Sequence, residues 1–245
     1  MKIFATSDLH GDISGLDPSG FDVVIIAGDF APLNGFSKWH MHDQKDWIQR
    51  KFMPFVERHQ NTQFVVVPGN HDMCLDKNET LPHAGIDYKI KWASNVHLLI
   101  DQQTTIDGIS FYGTPWVPII NYRWAFEAES DKLRQMFKKI PKKLDVLISH
   151  SPPHIGNEYL IDRSLQYGMS EPFGSAELAN EIFNKKPKYA FCGHIHSGDH
   201  TCVNFNETKI YNVSRVNEDY DIAYEPTKIE IKRNEDGRFE QFPIL

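Results

Sequence analysis

Five short apolar runs in this chain each stop at Asp, Asn or His. "KIFATS" (2–7) leads into Asp8-Leu9-His10, "DVVIIAG" (22–28) into Asp29, and "QFVVVPG" (63–69) into Asn70-His71-Asp72. "LDVLISH" (144–150) closes on His150, and "KYAFCGH" (188–194) continues through His194-Ile195-His196. Runs this short and this rich in Val, Ile and aromatic residues read as buried strands. Ligands in open α/β sheets gather outside the carboxyl ends of the strands. Ionisable residues are rare in cores and common at sites. The pattern therefore calls for α/β sheets that bring five strand ends to one edge.

The segments between these runs fill in the layers. Apolar residues at Trp47, Ile48, Phe52, Phe55 and Val56 predict a helix over 39–59, kinked or split at Pro54. Helices are also predicted over 125–140 and over 175–184, the latter capped by Ser175 with Glu177 close behind. Alternation over 98–112 predicts a hairpin about Asp107-Gly108. From Thr201 onward short strands follow one another. Strand–helix alternation that gives way to consecutive strands predicts α/β layers with mixed sheets. Segments 72–95 and 151–174 read as long irregular loops, which are often functional. No linker, repeat or low-complexity tract interrupts the chain, so one domain over 1–245 is expected.

Composition limits the partners. The 245 residues carry a formal net charge of −7, and 40% are hydrophobic. An acidic chain is poorly suited to gripping long nucleic acid, which needs a basic face to displace counterions. A small phosphorylated substrate remains compatible, because bound metal supplies local positive charge. Cys74, Cys192 and Cys202 are odd in number and show no paired spacing, which argues against a disulfide framework. "MKIFATSDLH" has no apolar run of signal-peptide length, and the chain has no long apolar stretch, so a soluble cytoplasmic protein with no membrane association is expected.

The donors at the strand ends are carboxylate or amide oxygens and imidazole nitrogens, with no thiolate. That set suits Mn²⁺, Fe, Zn²⁺ or Mg²⁺. His194 and His196 are one residue apart, and in an extended segment such residues face the same side.

Asp-x-His, Gly-Asp, Gly-Asn-His-Asp, His and Gly-His-x-His in this order resemble the calcineurin-like metallophosphoesterases. "FYGTPW" (111–116), "SHSPP" (149–153) and "YNVSRVNEDYDIAYEPTKIEI" (211–231) are similar to the metallophosphoesterase-domain-containing subgroup of small phosphodiesterases. The resemblance implies a four-layer αββα sandwich with two mixed sheets. It implies two divalent ions, manganese first among the candidates: Asp8, His10 and His196 on one, Asn70, His150 and His194 on the other, and Asp29 bridging both. It makes His71 the general acid or leaving-group stabiliser; the adjacent carboxylate of Asp72 is then expected to orient that imidazole and raise its pKa, as in other carboxylate–His pairs. The implied reaction is hydrolysis of small phosphodiesters, cyclic or other nucleotide esters included, by a hydroxide activated between the two metals. The alternatives are a phosphomonoesterase or protein phosphatase, and a non-catalytic binding protein on the same fold. An arginine is absent after Asn70-His71, where Asp72 stands, and every ligand position is intact. His40, His42, His154 and His200 follow motif strands but read as bystanders, and His59, His83 and His97 read as surface residues. Cys192 reads as core, Trp116 and Tyr112 as core or pocket wall.

Overall fold

The structure is a computed structural model that describes residues 1–33, 35, 38–76, 89–156, 161, 173–234 and 239–244. In chain order, β1 (Lys2–Thr6) and β2 (Val23–Ala27) precede a long helical segment. That segment is α1 (Lys38–Trp47), a π-helical stretch (Ile48–Phe52) and α2 (Met53–Glu57). There follow β3 (Gln63–Val67), a 3₁₀ turn (Met73–Leu75), β4 (Val96–Leu98), β5 (Gln102–Ile106) and β6 (Ile109–Thr114). A small pair, β7 (Val117–Pro118) and β8 (Glu127–Ala128), leads to α3 (Ser130–Phe137) and β9 (Val146–Ser149). The chain ends with α4 (Ala176–Lys185), β10 (Tyr189–Cys192), β11 (Val203–Phe205), β12 (Thr208–Asn212), β13 (Thr227–Arg233) and β14 (Phe239–Pro243).

Two six-stranded mixed sheets result, ordered β14-β13-β1-β2-β3-β4 and β11-β12-β10-β9-β6-β5. In the first, β1 to β4 are parallel and β13 and β14 antiparallel; in the second, β6, β9, β10 and β12 are parallel with β5 and β11 antiparallel at the edges. Side chains alternate across a strand, and here both faces are apolar. Ile3, Ala5, Val23, Ile25, Val65 and Val67 meet Phe111, Val146, Ile148 and Phe191 in one cluster between the sheets. The intervening residues Phe4, Val24, Ile26, Phe64 and Val66, with Leu147 and Ala190 of the second sheet, join a cluster that includes helical residues Ile48, Phe52, Val56, Leu133, Phe137, Leu178 and Ile182. Helices thus cover the outer faces, and the expected four-layer αββα arrangement is present. Trp47 and Phe52 stack at 6.0 Å, so this apolar strip packs the helix, as its spacing indicates.

The helix over 38–57 stays continuous at Pro54. The Met53 N–H donates to the Ile48 carbonyl five residues back, widening the turn ahead of a residue that has no N–H to give. The hairpin forms as expected: Ile106 pairs with Ile109 across Asp107 (φ 47°) and Gly108 (φ 76°). Ser175 caps α4 by accepting from the Leu178 N–H at 3.2 Å. The expected helix over 125–140 is corrected. Only 130–137 is α-helical, because Phe126 sits at φ 56° and Glu127 and Ala128 pair as β8. The Glu127 carboxylate accepts from the backbone N–H of Ile120, Asn121 and Trp124, at 2.6, 2.9 and 3.0 Å, which folds the 120–124 bend back onto the short strand instead of a helix. Of the two long loops, 77–88, 157–160 and 162–172 lie outside the described residues, and His83 with them. Among the described residues no helix is long and apolar enough to cross a membrane.

Candidate metal centre

The carboxyl ends of the central parallel strands of both sheets meet at one edge. A parallel bridge between Ser7 and Ser214 joins the end of β1 to the segment after β12. At Gly28 (φ 99°) the end of β2 passes against the residue after β9: a Cβ there would overlap the His150 ring. A Cβ on Gly193 would likewise overlap Ser7 and the Asp8 carboxylate. The glycines ahead of Asp29 and His194 therefore let donor residues from different strands converge. Asp8 (φ 53°), His10 (φ 43°), Asp29 (φ 52°) and His194 (φ 70°) all take the left-handed backbone conformation, which is costly for such residues and concentrates at functional sites.

Three groups of donors form here, each with ligand atoms within 4.8 Å of one another: Asp8/His10/His196, His10/Asp29/His71 and Asp29/His150/His194. Asp29 and His10 each belong to two of them. Asn70 Oδ1 lies 3.0 Å from His150 Nε2, and Asp29 Oδ2 lies 3.1 Å from the same nitrogen. All seven residues expected as ligands, together with His71, thus converge on this edge.

The chemistry of the donors fits divalent ions. His150 Nδ1 is 2.9 Å from the Ala27 carbonyl oxygen and His196 Nδ1 is 3.0 Å from that of Asn217. Each backbone carbonyl takes the Nδ1 proton and turns Nε2 toward the carboxylates, the usual outer contact of a ligating histidine. Both ring nitrogens of His10 are buried without a hydrogen-bond partner. Such orphaned atoms are unfavourable unless something partners them, and a metal ion does so for the unprotonated imidazole nitrogen.

The electrostatics agree. Burial opposes charge on Asp29, yet the neighbouring His150 overrides it and holds the carboxyl well below the usual carboxylate range. Burial also opposes charge on Asp8, where hydrogen bonding by His196 prevails and keeps it ionised. His150 is lowered by burial but raised more by Asp29, and ends pushed up to about 9. Burial takes His10 down to about 4 and His194 to about 3, so both present neutral imidazole, the ligating form.

Asp72 does not orient His71. Its carboxylate accepts from the backbone N–H of Ala31 at 2.8 Å, Gly69 at 2.8 Å and Phe30 at 3.4 Å, while His71 Nδ1 has no hydrogen-bond partner. Asp72 ties the loop after β2 to the loop after β3. Backbone donors three residues before it and some forty residues away outcompete the adjacent imidazole. Burial, then the charge of Asp29, push the Asp72 pKa up to about 7. Replacing it with Asn leaves N–H groups facing an amide NH₂, so Asp72→Asn is expected to cost about 1–3 kcal/mol. The measurement is urea unfolding at neutral pH, and a midpoint equal to wild type refutes this bracing role.

Other residues at the site lie outside the strand-end donor motifs. Gln44, fully buried on α1, donates to the carbonyl oxygens of His71 (2.5 Å) and Pro32 (3.1 Å) and accepts from the Cys74 N–H (3.0 Å). Arg215 donates to the carbonyls of Asp12 and Ser14, tying the segment after β12 to the turn beyond His10. The Trp124 ring lies 4.1 Å from that of His71, and Tyr220 packs 4.8 Å from His10 and 5.2 Å from His196. Trp124 and Tyr220, with Pro118, Ile120 and Glu218, wall a cleft of about 630 Å³ that opens on Asp29, Asn70, His71, His194 and His196. His200 Nε2 contacts the His196 carbonyl oxygen at 3.0 Å and its ring stacks on Tyr224, so it buttresses the ligand loop. His40 is buried on α1, His42 is exposed, and the His154 backbone N–H bonds to Ser175. Cys192, Trp116 and Tyr112 are buried in the same core cluster.

Two facing mixed sheets with shared His and carboxylate donors at their common carboxyl edge define a protein of the metal-centred αββα class. A profile of the calcineurin-like phosphoesterases matches residues 1–198, and the chain belongs to that family. It is 30% identical over 250 residues to UPF0046 protein T07D4.2 of Caenorhabditis elegans, covering 91% of this chain and 58% of that protein. It is 26% identical over 215 residues to Metallophosphoesterase domain-containing protein 1 of Homo sapiens, covering 80% of this chain and 61% of that protein. The chain thus spans about six tenths of the length of these two relatives. Among solved structures, phosphopantetheinyl hydrolase (PptH) from Mycobacterium tuberculosis aligns with a TM-score of 0.51 at 14% identity, over 87% of this chain and 88% of that one. At that identity the likeness concerns the fold alone. The family implies divalent ions at a dinuclear site, and the donor groups described above supply candidate ligands for it.

Proposed function

We propose that this chain is a metal-dependent hydrolase of small phosphodiesters, nucleotide-type esters included. The observation that carries the proposal is the position of Asp29, whose carboxylate belongs to two donor groups at once and links the His10/His71 side of the edge to the His150/His194 side. On this reading Asp8, His10 and His196 hold one divalent ion, Asn70, His150 and His194 hold a second, and Asp29 holds both. Two such ions, when bound, supply Lewis acidity and a nucleophile at neutral pH. The neutral Asn70 in place of a third carboxylate limits the negative charge of the donor set. His71 lies at the cleft with Trp124 against its ring and Nε2 3.7 Å from Asp29 Oδ2. It holds a proton for the leaving-group oxygen, the role of a positioned general acid. Ile120 and Trp124 present apolar wall beside it.

Protein reconstituted with Mn²⁺ is expected to hydrolyse bis(p-nitrophenyl) phosphate with a higher kcat/KM than p-nitrophenyl phosphate. A higher value for the monoester moves the chain to the phosphomonoesterases. Failure to turn over either ester with two ions bound leaves a binding protein on this fold.

A further inference from the structure

The rim of the cleft is formed by a turn within the 211–231 stretch, outside the strand-end donor motifs. Asn217 Oδ1 accepts from the backbone N–H of Asp219 at 3.0 Å and of Asp221 at 2.9 Å. The Asn217 carbonyl oxygen takes the Tyr220 N–H at 3.0 Å and lies 3.0 Å from His196 Nδ1. The turn is therefore fastened to a candidate ligand. It presents Glu218, half-buried, to the cleft that contains Asp29, His194 and His196. Glu218 Oε1 is buried and has no hydrogen-bond partner among the described residues. Glu218 also belongs to none of the three donor groups found among the described residues. Among the described residues that line the cleft, none is Lys or Arg.

A desolvated carboxylate oxygen without a donor is unfavourable, and such a group in a native protein calls for a reason. The charge of the substrate provides one. A phosphodiester carries a single negative charge, whereas a monoester carries about −1.5 to −2 at neutral pH. Sites that grip a terminal phosphate use Arg or Lys against the additional charge. This cleft wall offers a carboxylate instead, which repels a dianion more than a monoanion. We infer that Glu218 is a specificity-determining residue that disfavours dianionic phosphomonoesters relative to monoanionic esters. The inference rests on the reading of this cleft as a phosphoester site.

The test uses two esters with the same leaving group and nearly the same size. p-Nitrophenyl methylphosphonate carries one negative charge and p-nitrophenyl phosphate carries two. The ratio of their kcat/KM values is measured on the Mn²⁺-loaded full chain, wild type, Glu218→Gln and Glu218→Lys, with metal content determined alongside. The wild-type ratio favours the phosphonate. It is expected to fall roughly tenfold in Glu218→Gln, as one unit charge near the substrate is removed, and further in Glu218→Lys. The lysine variant reads the same quantity if the glutamine variant fails to fold. A ratio unchanged by the substitutions, or metal lost from Glu218→Gln, overturns the inference and leaves the phosphoesterase reading standing. A wild-type chain that holds two ions and cleaves neither ester refutes that reading, and the inference falls with it.

Discussion

Asp29→Ala is expected to abolish metal-supported hydrolysis more completely than loss of any other single donor. Mutating a contact that only orients a ligand typically costs 10–100-fold in metal affinity or activity. Asp29 faces two donor groups directly, so its loss is expected to exceed that range, on the order of 10³-fold or more in kcat/KM. Its carboxylate also accepts the backbone N–H of His71 at 2.7 Å and lies 3.1 Å from His150 Nε2, so removal strips the charge that keeps His150 protonated in the metal-free protein. Elemental analysis after Mn²⁺ loading is expected to give about two ions for the wild type and fewer than one for the variant. His196→Ala, at the edge of the set, is expected to retain more of both. If Asp29→Ala binds metal as wild type does, the shared-carboxylate arrangement is wrong.

His71→Ala separates proton transfer from metal holding. The variant is expected to keep its metal and to slow the chemical step by roughly 10²–10⁴-fold, the usual worth of a positioned acid or base. The loss is expected to grow as the leaving group becomes more basic, and to be small for p-nitrophenolate, which departs without a proton. The structure sharpens this test, because His71 shares a donor group with His10 and Asp29. A leaving-group dependence parallel to wild type, or one ion lost per chain, makes His71 a ligand or an electrostatic clamp. Burial, against the pull of Asp29, lowers the His71 pKa in the metal-free protein. Leaving-group dependence is therefore the more direct readout of the acid role than the pH profile of the apo chain.

The sequence by itself determined the strands and what stands at their ends. Runs such as Val23–Ala27 and Val146–Ser149 are buried on both faces, a local property that any window of the chain displays. Asp8, His10, Asp29, Asn70, His150, His194 and His196 were legible because each lies within a few residues of such a run, and their order carried the family. What the tertiary structure decided is non-local. Gly28 admits the His150 ring 122 positions away, and only the apposition of two sheets brings them together. Asp72 stands beside His71 in sequence, yet its carboxylate went to the amides of Phe30 and Ala31, since buried N–H groups must be paired wherever they lie. Residues 125–129 have helical spacing, but Glu127 and the bond from the Ala125 N–H to the Asn70 carbonyl hold them as a turn and a short strand beside the site. Trp124, Gln44, Arg215 and Glu218 belong to no spacing pattern at all. Their places are fixed by hydrogen bonds and packing between distant segments, which exist only once the two sheets have closed on each other.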